Sequence, residues 1–285
     1  AELIGEYLMV QKRIAQIQSW LDAVKEDGRV HGYVNANGAV TGRMTHSSPN
    51  VAQVPAGNAP YGKQCREVWT VPTGYKLVGM DASGLELRML AHYMNDEAYT
   101  NEILTGDIHT ANQLAAGLET RNQAKTFIYA FLYGAGDAKI GSIVGGSSRD
   151  GKRLKEKFLR NTPALRTLRE RVGVASGRGY VLGLDGRRVA VRSEHAALNT
   201  LLQSAGAIVM KKALCLLDEY ATIHKIDYKF IGNIHDEIQT EVSEKDAVRF
   251  GRLSTACVEA AGNYFKLNCP LAGEYQIGTD WSQTH

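Results

Sequence analysis

Apolar positions recur along the chain with two different periods, and the switches between them set the expected order of elements. Leu8, Ile14, Ile17 and Leu21 fall on one helical face, so residues 1 to about 25 read as an amphipathic helix ended by the turn around Gly28. From Val30 to Pro60 the chain is rich in Gly, Asn, Ser and Pro, which predicts irregular structure with short strands. "YKLVGM", Tyr75 to Met80, is a short strand-like run. A helical pattern, "LELRMLAHYM", follows Asp81 with Leu85, Leu87, Leu90 and Met94 as its apolar positions. The stretch from about Asp96 to Leu198 predicts several helices separated by Gly-rich breaks ("GAGDAK", "VGGSSRDG") and a hairpin in "GRGYVLGLDGRRVAVR". A long helix is expected from about His195 to Tyr220, then a hairpin over "YKFIGNIHDEIQTEV", then a helix from about Glu244 to Leu267. No internal repeat is visible. The order helix and loop, strand, helical insertion, helix, hairpin, helix predicts an α+β fold, a sheet domain interrupted by a helical subdomain.

Composition changes this picture little. The 285 residues are ample for a real core, and 44% hydrophobic with 22% charged residues is ordinary for a globular protein. A net charge of +3 permits a nucleic-acid partner without arguing for one. Four cysteines (Cys65, Cys215, Cys257, Cys269) lie scattered, with no C-x-x-C pair and no short-range His partners. That disfavours a zinc site or a disulfide framework and suits a reducing cytosol. No apolar run of membrane-spanning length and no signal peptide are visible, so no membrane partner is expected. The chain opens on Ala1 within a helical pattern, which reads as a cleavage, an expression boundary or a split gene.

Four places carry candidate chemistry. At the hairpin tip His235, Asp236 and Glu237 crowd like charges into a turn, which is either a solvated turn or a place where something positive sits. Asp81 follows "LVGM" and reads as a strand-end active-site carboxylate or as a helix N-cap, the N-cap being favoured when the residue is taken on its own. If the two strands were neighbours, their carboxylates could bind a hard divalent cation, which takes one or two carboxylates and completes its shell with substrate phosphates. The third place is "RNQAKTFIYAFLYGAG": Arg121, Lys125, Tyr129 and Tyr133 recur every four residues along one slowly spiralling helix face that ends at Gly134. Cations at one end suit a triphosphate and aromatics at the other a stacked base; the alternative is a solvated charged turn followed by two core tyrosines. Upstream, "GDIHT" puts His109 near a helix start, as a further phosphate donor or as part of a capping segment. The fourth is "VTGRMTHSSPNVAQVP", where Arg43, Asn50 and Gln53 could grip a sugar-phosphate backbone or simply line a surface loop.

Taken together these segments resemble a family. "DASGLELR" at Asp81, "RNQAKTFIYAFLYG" at Arg121 and "HDE" at His235 resemble motifs A, B and C of family A DNA polymerases, the group of bacterial DNA polymerase I. "TGRMTHSSPNVAQVP" and "LNTLLQSAGA" resemble two further signatures of that family, in the right order and across nearly the whole chain. Wording such as "GDIHT", "FLYGAGD" and "HAALNTLLQSAGA" is similar to the replicative polymerases of short-tailed, T-odd type phages.

The resemblance implies a right-hand polymerase fold with an antiparallel palm sheet and an inserted helical fingers subdomain. Residues 1–28 would be a thumb-remnant helix, 29–95 and 199–285 the two parts of the palm, and 96–198 the fingers. Asp81 and Asp236, with the Ala82 carbonyl, would ligate two Mg²⁺ ions, Mn²⁺ being a possible substitute, and Glu237 would be a supporting carboxylate at the catalytic centre. His109, Arg121 and Lys125 would contact the incoming dNTP, with Ser83 beside them. Tyr133 and Glu86 would crowd the sugar 2′ position against ribonucleotides, and a Tyr at Tyr129 would go with ready acceptance of dideoxynucleotides. Arg43, Asn50, Gln53, Gly134, Asn199, Gln203 and His235 would hold the primer–template, largely through the minor groove, whose near-degenerate code suits an enzyme that must ignore sequence.

The implied activity is template-directed 5′–3′ nucleotidyl transfer in the cytoplasm of a bacterial host. A thumb and an exonuclease-like domain would come from an N-terminal fragment of a larger or split enzyme. Three rival readings stand beside it. A catalytically silent nucleic-acid-binding partner in a replication assembly keeps both aspartates without using them. A single-subunit RNA polymerase fits less well with Glu86 and "HDE". A metal-dependent phosphohydrolase leaves the cation–aromatic helix without a task.

Overall fold

The apolar run "YKLVGM" forms a strand that continues through Asp81 to Ala82, because one neighbour pairs with it as far as Asp81 and the other as far as Ala82. The computed structural model describes residues 2–285. Along the chain lie helix α1 (Glu2–Asp22), the paired strands β1 (Tyr33–Asn35) and β2 (Thr45–Ser47), α2 (Gly62–Glu67) and β3 (Tyr75–Ala82). Then come α3 (Leu85–Met94), α4 (Glu97–Leu104), α5 (Ile108–Ala116), α6 (Arg121–Leu132), α7 (Asp137–Ser142), α8 (Ser148–Asn161) and α9 (Pro163–Ser176). The hairpin β4 (Tyr180–Leu182) and β5 (Arg188–Ala190) leads to α10 (Glu194–Ile223), β6 (Tyr228–Ile234), β7 (Glu237–Ser243), α11 (Ala247–Tyr264) and β8 (Gly273–Gly278). The chain divides into two compact units, one of residues 2–83, 210–261 and 272–285, the other of residues 84–209 and 262–271.

The first unit is built on a four-stranded antiparallel sheet in the order β6-β7-β3-β8. On one face Val78 and Val242 pack with Leu217 and Ala221 of α10 and with Phe250 and Cys257 of α11. On the other, Leu77 packs with Trp20 of α1, Cys65 of α2, Val54 and Trp281. With both faces covered, the central strands lose the apolar–polar alternation of a half-exposed strand. All seven residues of β7 are buried, Gln239 and Glu241 among them. These polar residues stay inside because they have partners. Glu241, 1% exposed, receives Nη1 and Nη2 of Arg29 at 2.9 Å each and Nζ of Lys229 at 3.0 Å. Burial alone would raise the Glu241 carboxyl, but the hydrogen bonds from Arg29 and Lys229 outweigh it and hold the pKa below its ordinary value.

Arg29→Ala therefore leaves a buried carboxylate with Lys229 as its one cation of the two. The expected cost is about 2 kcal/mol, read as a lower midpoint in thermal or urea unfolding. An unchanged midpoint would mean that water replaces Arg29 without loss.

The second unit is helical. Phe127 and Phe131 of α6 meet Phe158 of α8 edge-on, with ring centroids 5.1 and 5.4 Å apart, and this aromatic cluster fixes the inner face of α6. Helix α10 differs from expectation in one respect. It is long and apolar enough, by length and composition, to cross a membrane, but 61% of its apolar stretch is buried inside the fold, as in a core helix.

Candidate active site

Strand pairing decides what the sequence left open about Asp81. The helix after it takes Gly84, at φ 58°, as its N-cap, so Asp81 is a strand residue rather than a cap. In the register of β3 and β7, Asp81 stands opposite Glu237 and Gly79 opposite Gln239. Beyond β7 the turn consists of His235 and Asp236, with His235 in the left-handed region at φ 63°. The Ala82 N–H donates to the Asp236 carbonyl at 3.0 Å, which ties the hairpin tip to the end of β3. Thus Asp81 and Asp236 come together at the ends of the two central strands. Burial, then the charge of Asp236, pushes the Asp81 carboxyl up to about 7, with Glu237 and Glu274 adding to the effect and His285 opposing it. A carboxyl raised by neighbouring negative charge in this way belongs to a donor set that a hard cation relieves. Among the described residues no group of three or more His, Cys, Asp or Glu is placed to hold a metal ion. Two carboxylates suffice for Mg²⁺, which completes its shell with water and phosphate oxygens.

Glu237 is not part of the turn. It opens β7 and is 3% exposed. Its Oε1 accepts from Trp281 Nε1 at 2.5 Å and from Gln239 Nε2 at 2.6 Å, while its Oε2 lies 2.9 Å from His285 Nδ1. Burial would raise this carboxyl, but the His285 hydrogen bond and charge, followed by Gln239 and Trp281, lower it below the usual value. The segment carrying Trp281 and His285 fits against the sheet because Gly79 has no side chain. A Cβ there would stand 2.2 Å from the Thr284 carbonyl oxygen and 2.5 Å from Gln239 Nε2. Arg43, Asn50 and Gln53 belong to this unit too: Arg43 is half-buried in the segment before β2, and Asn50 and Gln53 are exposed around the 3-10 turn Val51–Gln53. Ser83, just past β3, donates its N–H to the Ala272 carbonyl at 2.9 Å.

In the second unit, α6 starts at a capping box formed by Thr120 and Gln123. Its core side is Ala124, Phe127, Ile128, Phe131 and Leu132; Arg121 and Lys125 are exposed, Tyr129 is half-buried and Tyr133 is 49% exposed. The tyrosines therefore lie outside the core. Tyr133 donates its hydroxyl proton to the Glu86 carboxylate, 2.8 and 2.9 Å from the two oxygens. Gly134, at φ 74°, turns the chain out of α6, and a Cβ there would meet the His195 carbonyl oxygen at 2.7 Å. The His109 ring lies on α5 with its centroid 6.3 Å from that of Tyr129. Its Nδ1 is buried and has no hydrogen-bond partner among the described residues. Burial, then the charge of Arg121, lowers the His109 pKa. Asn199 and Gln203 sit one turn apart on α10, both half-buried.

The family model "DNA polymerase family A" matches residues 1–283. The chain belongs to DNA polymerase family A. It is 46% identical to the DNA-directed DNA polymerases of Enterobacteria phage T3 and Escherichia phage T7, over 100% of this chain and 46% of each of theirs. It thus spans less than half the length of these curated relatives. Among solved structures it matches the POL domain of Pol1 from M. smegmatis, in complex with DNA primer-template and dNTP, with a TM-score of 0.86 at 24% identity. That match covers 94% of this chain and 51% of the other and shows a common α+β fold.

For a family A chain, the side chains that sequence reasoning missed are those that hold the motif residues. Trp281, Gln239 and His285 fix Glu237, and Asp107 meets Arg121 at 2.6 Å. A signal existed for Asp107 alone, since an Asp just ahead of a helical pattern marks an N-cap.

Proposed function

We propose that this chain is the polymerase part of a replicative enzyme that adds deoxynucleotides to a primer 3′ end under direction of a DNA template. The observation that carries the proposal is the meeting of Asp81 and Asp236 at the ends of adjacent central strands, with Asp81 pushed up to about 7. In this reading the two aspartates and the Ala82 carbonyl hold two Mg²⁺ ions, or Mn²⁺ in their place. When bound, the metal neutralises triphosphate charge and makes the primer hydroxyl a better nucleophile. The primer 3′-oxygen attacks the α-phosphorus in line while the bond to pyrophosphate breaks, so the protein's work is positioning and charge neutralisation.

Arg121 and Lys125, exposed at the start of α6, bind the triphosphate, and His109 supplies a third polar contact. Tyr133 stacks by the nascent base pair. Its hydrogen bond to Glu86 fixes both side chains where a ribose 2′-hydroxyl would have to fit, which excludes ribonucleotides. Tyr129, beside His109, favours acceptance of dideoxynucleotides. Arg43, Asn50, Gln53, Gly134, Asn199, Gln203 and His235 hold the primer–template, and Ser83 lies by the nucleotide. Glu237 is a positioning residue, since both of its oxygens are engaged within the fold.

Residues 29–95 and 199–285 form the palm, 96–198 the fingers and 1–28 a thumb helix. Thumb and exonuclease-like domains come from an N-terminal fragment, and the enzyme acts in the cytoplasm of a bacterial host. The relatives named DNA-directed DNA polymerase support the polymerase reading.

The test is extension of a primed DNA template by one nucleotide with Mg²⁺, offering dNTP or rNTP. Extension with dNTP alone is the expected result. If the chain is silent, a thumb-bearing N-terminal fragment is added: rescue means a split enzyme. Continued silence means a nucleic-acid-binding partner in an assembly, and the proposal falls.

A further inference from the structure

One carboxylate joins the two helices on which the proposed phosphate donors sit. Asp107 is the N-cap of α5: its Oδ1 accepts from the His109 N–H at 3.0 Å, and its Oδ2 accepts from Thr110 Oγ1 at 2.9 Å. The same two oxygens receive Arg121, the first residue of α6, through Nε at 2.6 Å and Nη2 at 3.2 Å. The guanidinium is planar, so a carboxylate that uses the Nε–Nη2 edge leaves Nη1 pointing away from it. Arg121 is thus gripped side-on, with one end of its fork directed elsewhere.

Such a pair has a bland explanation. Its side chains are 52% and 41% exposed, and an exposed ion pair contributes little to stability. Two features go beyond that. The contact is bidentate, and the acid that makes it also caps the helix carrying His109, so one side chain sets the positions of both donors. A free arginine would have to be ordered by its ligand, whereas one already held does not charge that ordering to binding.

We propose that Asp107 is a positioning residue of the nucleotide site, fixing Arg121 side-on and the start of α5 together so that both meet the phosphates of an incoming nucleotide in one arrangement. This rests on the reading of Arg121 and His109 as triphosphate contacts. The negative charge of Asp107 opposes a triphosphate, so the proposal holds only if orientation outweighs repulsion.

Calorimetric titration of the chain with dATP and Mg²⁺ tests this without requiring turnover. Asp107→Ser keeps a side-chain oxygen to cap α5 but is too short to reach Arg121. The expected result is a Kd about tenfold weaker for Asp107→Ser, a similar or larger loss for Arg121→Ala, and a double variant no weaker than Arg121→Ala alone. Non-additivity is the decisive readout, because a purely structural capping role would add its loss in the Arg121→Ala background. Helix content by circular dichroism should match the parent for Asp107→Ser. If Asp107→Ser binds as tightly as the parent, or more tightly, while Arg121→Ala binds weakly, Asp107 does not position Arg121 and the proposal is overturned alone. If Arg121→Ala also leaves Kd unchanged, or the parent chain does not bind dATP, the triphosphate reading fails and this inference with it.

Discussion

Asp236→Asn should abolish single-nucleotide extension, by on the order of a thousandfold or more, without unfolding the protein. Asn has nearly the shape of Asp, and the contact that ties the hairpin tip to β3 uses the backbone carbonyl of residue 236, which the substitution keeps. What disappears is one negative charge beside Asp81. That charge helps to push the Asp81 carboxyl up to about 7 from its ordinary 3.8. A carboxyl raised in the folded state binds its proton more tightly there than in the unfolded chain. Between its unfolded and folded values, stability therefore falls as pH rises, and the full penalty is present above about 7. Removing Asp236 lowers the folded pKa and with it that penalty. At pH 8 the inactive variant should consequently be as stable as the parent or more so, while carboxyl titration followed by NMR shows Asp81 moving toward the ordinary range. Lost activity with a lowered melting temperature would instead indicate a structural role, and retained activity would remove Asp236 from the chemistry.

How much of this was legible in the sequence depended on the distance over which each residue finds its partner. Local signals are legible. The apolar run from Tyr75, the helical spacing after Leu85 and the two β-like runs around His235 all give elements in place, with β3 two residues longer than its apolar run. Asp81 and Asp236 could each be suspected as strand-end carboxylates, but only strand register makes them neighbours, and no local pattern encodes register across so much intervening chain. The polar residues of β7 mislead for the same reason. Glu237 and Glu241 look like solvent-facing positions because the groups that satisfy them, Trp281 and Arg29, lie 44 and 212 residues away. On α6 the four-residue spacing identified one face, and exposure then showed that Tyr133 lies on the surface rather than in the core. The cap at Asp107 is local and legible, whereas its grip on Arg121 depends on how α5 packs against α6.

Glu237→Ala should cost about 3–5 kcal/mol, because it strips the acceptor from three donors at once in a place that is 3% exposed. For a chain of this size that corresponds to a fall in Tm of about 10 °C. Glu237→Gln should lose less: its carbonyl still accepts from Trp281, and its amide can donate to a neutral His285 Nδ1. The pH dependence identifies the His285 pair. Glu237 is lowered from 4.5 in the fold, so its contribution is present above that value and disappears as pH falls through the lower folded pKa. His285 is raised from 6.5, chiefly by its hydrogen bond to Glu237, so its contribution is present below 6.5 and disappears as pH rises through the higher folded pKa. The stability advantage of the parent over Glu237→Gln should therefore be greatest between about 4.5 and 6.5 and shrink on both sides, and His285→Ala should remove the loss on the alkaline side. An unchanged Tm in Glu237→Ala would mean that the segment around Trp281 is held by other contacts. If activity nevertheless vanished, Glu237 would have to act on substrate or metal directly, which its engaged oxygens argue against.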